Sequence, residues 1–115
     1  MKLTLPLPPS TNALSRALVK GARAVVVSSR AYRNWRKDAE AWLTTQRSEL
    51  LTGDVHVSMD IYYKDLRRDA DSAIKPTLDI LQGWCYDNDR QVWKIQASRH
   101  IDKDNPRVEV TVEPL

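Results

Sequence analysis

Apolar and polar residues alternate along several stretches of this chain, and between them the period lengthens to that of a helix. Leu3, Leu5 and Leu7 alternate with Lys2, Thr4 and Pro6. This predicts a short strand with one buried face, stopped by Pro6-Leu7-Pro8-Pro9, where prolines without an N–H make a rigid, extended exit. Residues 10 to 23 show no clean period, and Ser10, Asn12, Arg16, Lys20 and Arg23 around Gly21 predict a surface loop. Ala24-Val25-Val26-Val27 is β-rich and predicts a short strand, with Ser28 or Ser29 available to cap a following helix. The clearest strand is Val55 to Tyr63, where Val55, Val57, Met59, Ile61 and Tyr63 alternate with His56, Ser58, Asp60 and Tyr62. Trp93, Ile95 and Ala97, then Val108, Val110 and Val112, mark two further strands, and Asp102-Lys103-Asp104-Asn105-Pro106 between them carries hairpin turn residues.

Two segments have helical spacing. From about Arg30 to Leu51, Trp35, Ala39, Trp42, Leu43, Gln46 and Leu50 recur at intervals that place them on one stripe, with Trp35 and Trp42 as core-facing anchors. Ile74, Leu78 and Leu81 mark a second helix ended by Gln82-Gly83. Pro76 is tolerated only in the first turn, so this helix starts a few residues upstream, with Asp71 or Ser72 as its cap. The order of elements predicts one α/β domain over residues 1–115, with a small mixed β-sheet and two main helices.

At 115 residues the chain has room for one hydrophobic core. No run of about 18 or more apolar residues could span a bilayer, and the N-terminus lacks the apolar core of a signal peptide, so a cytoplasmic protein is expected. Cys85 is the single cysteine, which excludes an internal disulfide and a thiolate metal cluster and suggests a buried apolar role. The net charge of +3 conceals an asymmetry: residues 1–50 hold nine basic and three acidic side chains, residues 51–115 nine basic and twelve acidic. The first acidic residue is Asp38, and the basic excess before it suits a polyanionic partner, although a basic surface also serves solubility alone.

The chemistry concentrates in the second half. Asp69-Ala70-Asp71 stands at a strand-to-helix junction, where the change of period lets residues two apart point toward a common volume. Lys75 follows Asp71 by four residues, and Tyr86-Asp87-Asn88-Asp89 supplies further carboxylates. An oxygen-rich set without abundant histidine or cysteine favours Mg²⁺ or Mn²⁺. His56 and His100 lie 44 residues apart and make poor zinc ligands. Such a cation lowers the pKa of a bound water and stabilises charge on a transferring phosphoryl group, which is phosphodiester hydrolysis; Lys75 would neutralise a phosphate or a leaving oxygen, and Arg67 and Arg68 would hold neighbouring phosphates. The bland alternatives are equally specific: Asp71 as a helix cap, Asp69 as partner of Arg67 or Arg68, Lys75 paired with Asp79, and Asp87 and Asp89 as turn residues, with Asp87 competing with Asp89 for the third ligand position.

Four segments resemble the RusA-type Holliday junction resolvases, small endodeoxyribonucleases common in phages and prophages. They are Leu5-Pro6-Leu7-Pro8-Pro9-Ser10-Thr11-Asn12, Ala31-Tyr32-Arg33, Arg67-Arg68-Asp69-Ala70-Asp71-Ser72-Ala73-Ile74-Lys75, and Asp89-Arg90-Gln91-Val92. The resemblance runs nearly end to end and implies a RusA-like fold. It further implies Asp69, Asp71 and Asp89 as magnesium-binding carboxylates, which selects Asp89 over Asp87, and Lys75 as the catalytic lysine. Ser72 departs from the family's usual asparagine, and Pro76 after the lysine is also a departure. The resemblance implies a homodimer acting on four-way junction DNA with paired, symmetric cuts, without an organic cofactor or a membrane. Asn12 and Arg16 in the 10–23 loop are the candidate strand-opening contacts. The rivals are a branched-DNA-binding protein without hydrolytic activity, and a flap or replication-fork nuclease using the same carboxylates.

Overall fold

The computed structural model describes residues 1–9, 15–20, 23–28 and 30–115, the second and third of these spans through their backbone only. In chain order the elements are β1 (Lys2–Pro6), β2 (Ser15–Lys20), β3 (Arg23–Ser28), α1 (Arg30–Thr44), β4 (Val55–Tyr63), α2 (Ile74–Ile80), a 3₁₀ turn (Asp89–Gln91), β5 (Val92–Ile101) and β6 (Arg107–Pro114). Four strands form a mixed sheet in the order β1-β6-β4-β5, and β2 and β3 form a separate antiparallel pair. The α/β architecture with two helices and a small mixed sheet follows the sequence pattern.

The core is built from one face of the sheet. Leu3 and Leu5 of β1, Val55, Val57, Ile61 and Tyr63 of β4, and Val108, Val110 and Val112 of β6 are all buried, as the two-residue period requires. Trp35, Ala39 and Leu43 of α1 and Ile80 and Leu81 at the end of α2 complete the same cluster, with Cys85 and Tyr86 beside them. Burial pushes the Cys85 thiol up to about 11, in keeping with its expected apolar role. No helix among the described residues is long and apolar enough to cross a membrane.

Several local expectations are corrected. Ser15–Lys20, within the expected loop, is a strand paired antiparallel with the nearby Arg23–Ser28. Helix α1 ends at Thr44, short of Leu51. Its last carbonyls are taken by side chains: Thr44 Oγ1 donates to the Ala41 carbonyl at 2.7 Å, Thr45 Oγ1 to Trp42 at 2.8 Å and Gln46 Nε2 to Trp42 at 2.9 Å. The buried stripe is Trp35-Ala39-Leu43, which leaves Trp42 39% exposed instead of anchoring the core. At α2 the cap is Ala73, without a side-chain hydrogen bond, and neither Asp71 nor Ser72 caps it; Pro76 is the third helical residue, within the first turn.

The largest correction concerns β5 and β6, which are not a hairpin. β5 runs parallel to β4, and β6 lies antiparallel on the other side of β4. The Asp102–Pro106 turn therefore passes the end of β4: the Asp102 N–H donates to Tyr63 O at 2.8 Å, and Arg107 Nη1 reaches the Asp102 carboxylate at 2.9 Å. Parallel neighbours need a crossover. That crossover, from Tyr63 to Val92, carries every carboxylate of the candidate site.

Candidate active site

The Asp69-Ala70-Asp71 turn is fixed at its middle, which leaves both carboxylates exposed. Tyr63, the last residue of β4, is fully buried, and its hydroxyl donates to the Ala70 carbonyl at 3.2 Å and lies 3.3 Å from Ser72 Oγ. Backbone bonds tighten the turn, from Ser72 N–H to Asp69 O at 3.2 Å and from Ile74 N–H to Asp71 O at 3.1 Å. Ser72 is itself buried, and its Oγ accepts from Arg68 Nε at 3.2 Å. A short hydroxyl at this position thus serves the turn through Tyr63 and Arg68, without capping α2.

Arg68, a candidate phosphate contact, is occupied with structure. Its Nη1 donates to the Pro8 carbonyl at 2.6 Å and its Nη2 to Pro9 at 3.2 Å, while its guanidinium lies 5.0 Å from the Tyr63 ring centroid. Burial pulls its pKa below the ordinary arginine value. The planar fork is suited to this double carbonyl contact. It ties the proline exit of β1 to the segment that opens the aspartate turn. Arg67 behaves differently: its side chain is 90% exposed and makes a loose 3.6 Å ion pair with Asp65. Together with Lys64, Arg67 and Arg68 line a groove against Leu7, Pro9 and Pro106. Asn12 lies outside the described residues, and Arg16 is placed only as the backbone partner of Val27.

Lys75 sits in the first turn of α2, exposed, with its Nζ 3.1 Å from Asp79 Oδ1. Asp79 is the main reason its pKa is raised, through the hydrogen bond and then through charge, and Asp89 adds a smaller push in the same direction. The crossover therefore brings Lys75, Asp79 and Asp89 into one electrostatic neighbourhood.

Asp89 opens the 3₁₀ turn and is partly buried. The turn is riveted by Gln91. Its Oε1 accepts from the Asp87 and Asn88 N–H groups at 2.9 and 3.2 Å, and its Nε2 donates to the Leu51 and Gly53 carbonyls at 2.8 and 2.9 Å. Asn88 caps the turn by accepting from Arg90 N–H at 2.9 Å, and the Asp89 N–H donates to Gln82 Oε1 at 3.3 Å. Asp87 is exposed.

Among the described residues no three carboxylate, histidine or cysteine side chains are gathered where one metal ion could be held. The donor chemistry suits a hard cation, but the free chain does not present Asp69, Asp71 and Asp89 as a closed cage. Mg²⁺ seldom needs one, since it keeps several waters and is commonly held by one or two carboxylates plus substrate phosphate. The exposed Asp69 and Asp71 suit that kind of open site.

The family model described as endodeoxyribonuclease RusA matches residues 6–113, nearly the whole chain. The chain belongs to that family. No curated protein matches the sequence. Membership in the RusA family makes endodeoxyribonuclease activity the frame for the site. The contacts that hold the two aspartate-bearing turns come from Tyr63, which the sequence pattern did not single out for the site, from Ser72, which it offered as a helix cap and as a departure from the family pattern, and from Gln91, which it quoted only within the Asp89-Arg90-Gln91-Val92 segment. The one signal that pointed toward Tyr63 was its place as the last buried-face residue of β4.

Proposed function

We propose that this RusA-family chain is a Mg²⁺-dependent, structure-selective endodeoxyribonuclease that resolves Holliday junctions by paired phosphodiester hydrolysis, acting as a homodimer in the cytoplasm. The observation that carries the proposal is the family match over residues 6–113, which includes the Asp-x-Asp turn, Lys75 and Asp89. Asp69, Asp71 and Asp89 would hold Mg²⁺, with Mn²⁺ as a substitute. When bound, the cation supplies an acidified water and neutralises charge on the phosphoryl oxygens.

The chain's own residues account for the rest. Tyr63 and Ser72 hold the Ala70 carbonyl and the turn backbone, so that Asp69 and Asp71 keep facing solvent, where a strand can approach. Lys75 offers a cation one turn beyond Asp71 for a phosphate or leaving oxygen. Its present partner Asp79 is a partly exposed i,i+4 neighbour, an interaction worth roughly 0.3–0.5 kcal/mol, which a phosphate can displace. Exposed Arg67 can contact phosphate, giving affinity and register without sequence reading.

A junction-binding protein without hydrolysis is the second reading, favoured by the absence of a closed three-carboxylate cage among the described residues. A panel of labelled four-way junction, flap, fork and linear duplex, each with Mg²⁺, separates the readings. Resolvase function predicts symmetric nicks in the junction and little cutting of duplex. Preferred cutting of the flap or fork transfers the same site to another substrate, and tight junction binding without products supports the binding-only alternative.

A further inference from the structure

The chain leaves β4 at Tyr63 and reaches Asp69 through Lys64-Asp65-Leu66-Arg67-Arg68, a tight turn. Both flanks of the turn are fixed. On one, the Asp65 carboxylate accepts from the Arg67 N–H at 2.9 Å and lies 3.6 Å from Arg67 Nε, so an aspartate side chain closes the backbone over the residue between them. On the other, Arg68 is bound to the Pro8 and Pro9 carbonyls and to Ser72 Oγ. The residue enclosed by Asp65 and Arg67 is Leu66, and it is 68% exposed.

A single exposed leucine is ordinary on a protein surface. This one differs in where it stands. It occupies the tip of a held turn, a position that glycine, asparagine or serine usually takes, three residues before Asp69. It is also set among cations: exposed Lys64 and Arg67 lie close on either side in the chain, and with Arg68 they line one groove against Leu7, Pro9 and Pro106. The groove's one carboxylate, Asp65, is the one already paired with Arg67.

These surroundings select the kind of partner. Three cations against one carboxylate fit a polyanion, whereas a second copy related by a two-fold axis through Leu66 would set the same cations against each other. In DNA the apolar surface lies in the base faces, which a linear duplex covers by stacking. Leucine is among the side chains that enter a base step as a wedge, the cost of unstacking being met by contacts around it, and that cost is least where the step is already broken. A branch point offers such a step. We propose that Leu66 is a wedge that enters the open base step of branched DNA, with Lys64 and Arg67 on the phosphates beside it, and so favours branched over linear substrates. Because the turn is already closed by Asp65 and Arg68, little freedom is lost on insertion.

This inference rests on the junction reading of the proposed function and names a specificity-determining residue within it. The test measures binding by the full chain in buffer without divalent metal, so that no strand is cut. The probes are a four-way junction with 2-aminopurine beside the branch point and a linear duplex with the same base at the same sequence. Wild type is expected to raise the fluorescence of the junction, as unstacking does, and not that of the duplex. Leu66→Asn, which places a favoured turn residue at this position, is expected to leave junction fluorescence unchanged and to bind the duplex as wild type does. Its junction affinity falls about tenfold, the scale of one leucine side chain withdrawn from apolar contact. Leu66→Met keeps the fluorescence rise, and Arg67→Ala weakens junction and duplex alike. A wild type that binds junction no better than duplex overturns the wedge and the junction reading together. A junction preference without a fluorescence rise, or one that Leu66→Asn retains in full, overturns the wedge alone. So does a Leu66→Asn variant whose mass by light scattering falls below that of wild type, which would make Leu66 a contact between copies. Hydrolysis enters none of these readouts and is decided by the branched-substrate panel.

Discussion

Lys75→Met lowers single-turnover cutting of a four-way junction by roughly 10²–10³, the usual cost of losing one preorganised group that faces developing charge, while junction binding changes only a few-fold. The expectation follows from position. Lys75 lies four residues beyond Asp71, and its ammonium is close enough to Asp89 for that carboxylate to help raise its pKa. Removing the ammonium takes a positive charge from the point where the site's negative charges and a phosphate would meet, while the exposed Arg67 is untouched. Asp79→Asn separates the catalytic role from the ion pair seen in the free chain. Asp79 is the largest cause of the raised Lys75 pKa, so its loss brings that pKa back toward the ordinary lysine value. The ammonium then deprotonates at lower pH, and the alkaline limb of the rate profile moves down while cutting at neutral pH persists. An Asp79→Asn variant as inactive as Lys75→Met would mean that Lys75 is merely Asp79's structural partner.

Trp35→Ala destabilises the fold by about 3–5 kcal/mol, since an aromatic side chain leaves a cavity that a packed core fills only in part. Trp35 is 5% exposed, stacks on Tyr32 at 5.8 Å and donates its indole N–H to Pro6 at 2.8 Å. It joins α1 to β1 at the point where the chain turns into the proline exit gripped by Arg68. In a domain whose total stability is on the order of 5–15 kcal/mol, a loss of this size lowers the melting temperature by more than about 10 °C. Thermal denaturation followed by circular dichroism measures it. A shift of only a few degrees would show that the α1–β1 contact is dispensable.

What could be read from the residues differs by element, for physical reasons. β4 and β6 were legible because they are half-buried, and a strict two-residue period survives only where one face is apolar throughout. β5 shows the same alternation, yet Ile95 and Ile101 are half exposed: alternation reports that a face needs covering, not what covers it. The link at Asp102–Pro106 has ordinary turn chemistry, and turn chemistry is the same whether the strands it joins are neighbours or flank a third. Sheet order therefore waited on the structure. Trp42 misled because residues 42 and 43 are both apolar and only one can face inward. In the site, the order of aspartates and lysine was visible as a motif. The supports were not: Gln91 works through four backbone groups, two of them distant in sequence, and Arg68 reads as a phosphate ligand until Pro8 and Pro9, some sixty residues away, are brought against it.

The central claim is that the Asp-x-Asp turn, with Asp89 and Lys75, hydrolyses the strands of a four-way junction. Its most direct test is a single-turnover assay on a synthetic junction with Mg²⁺, comparing wild type with Asp71→Asn at saturating protein. Paired, symmetric nicks are expected from wild type and none from Asp71→Asn, with both proteins bound to the junction. Equal cutting by the two proteins would contradict it.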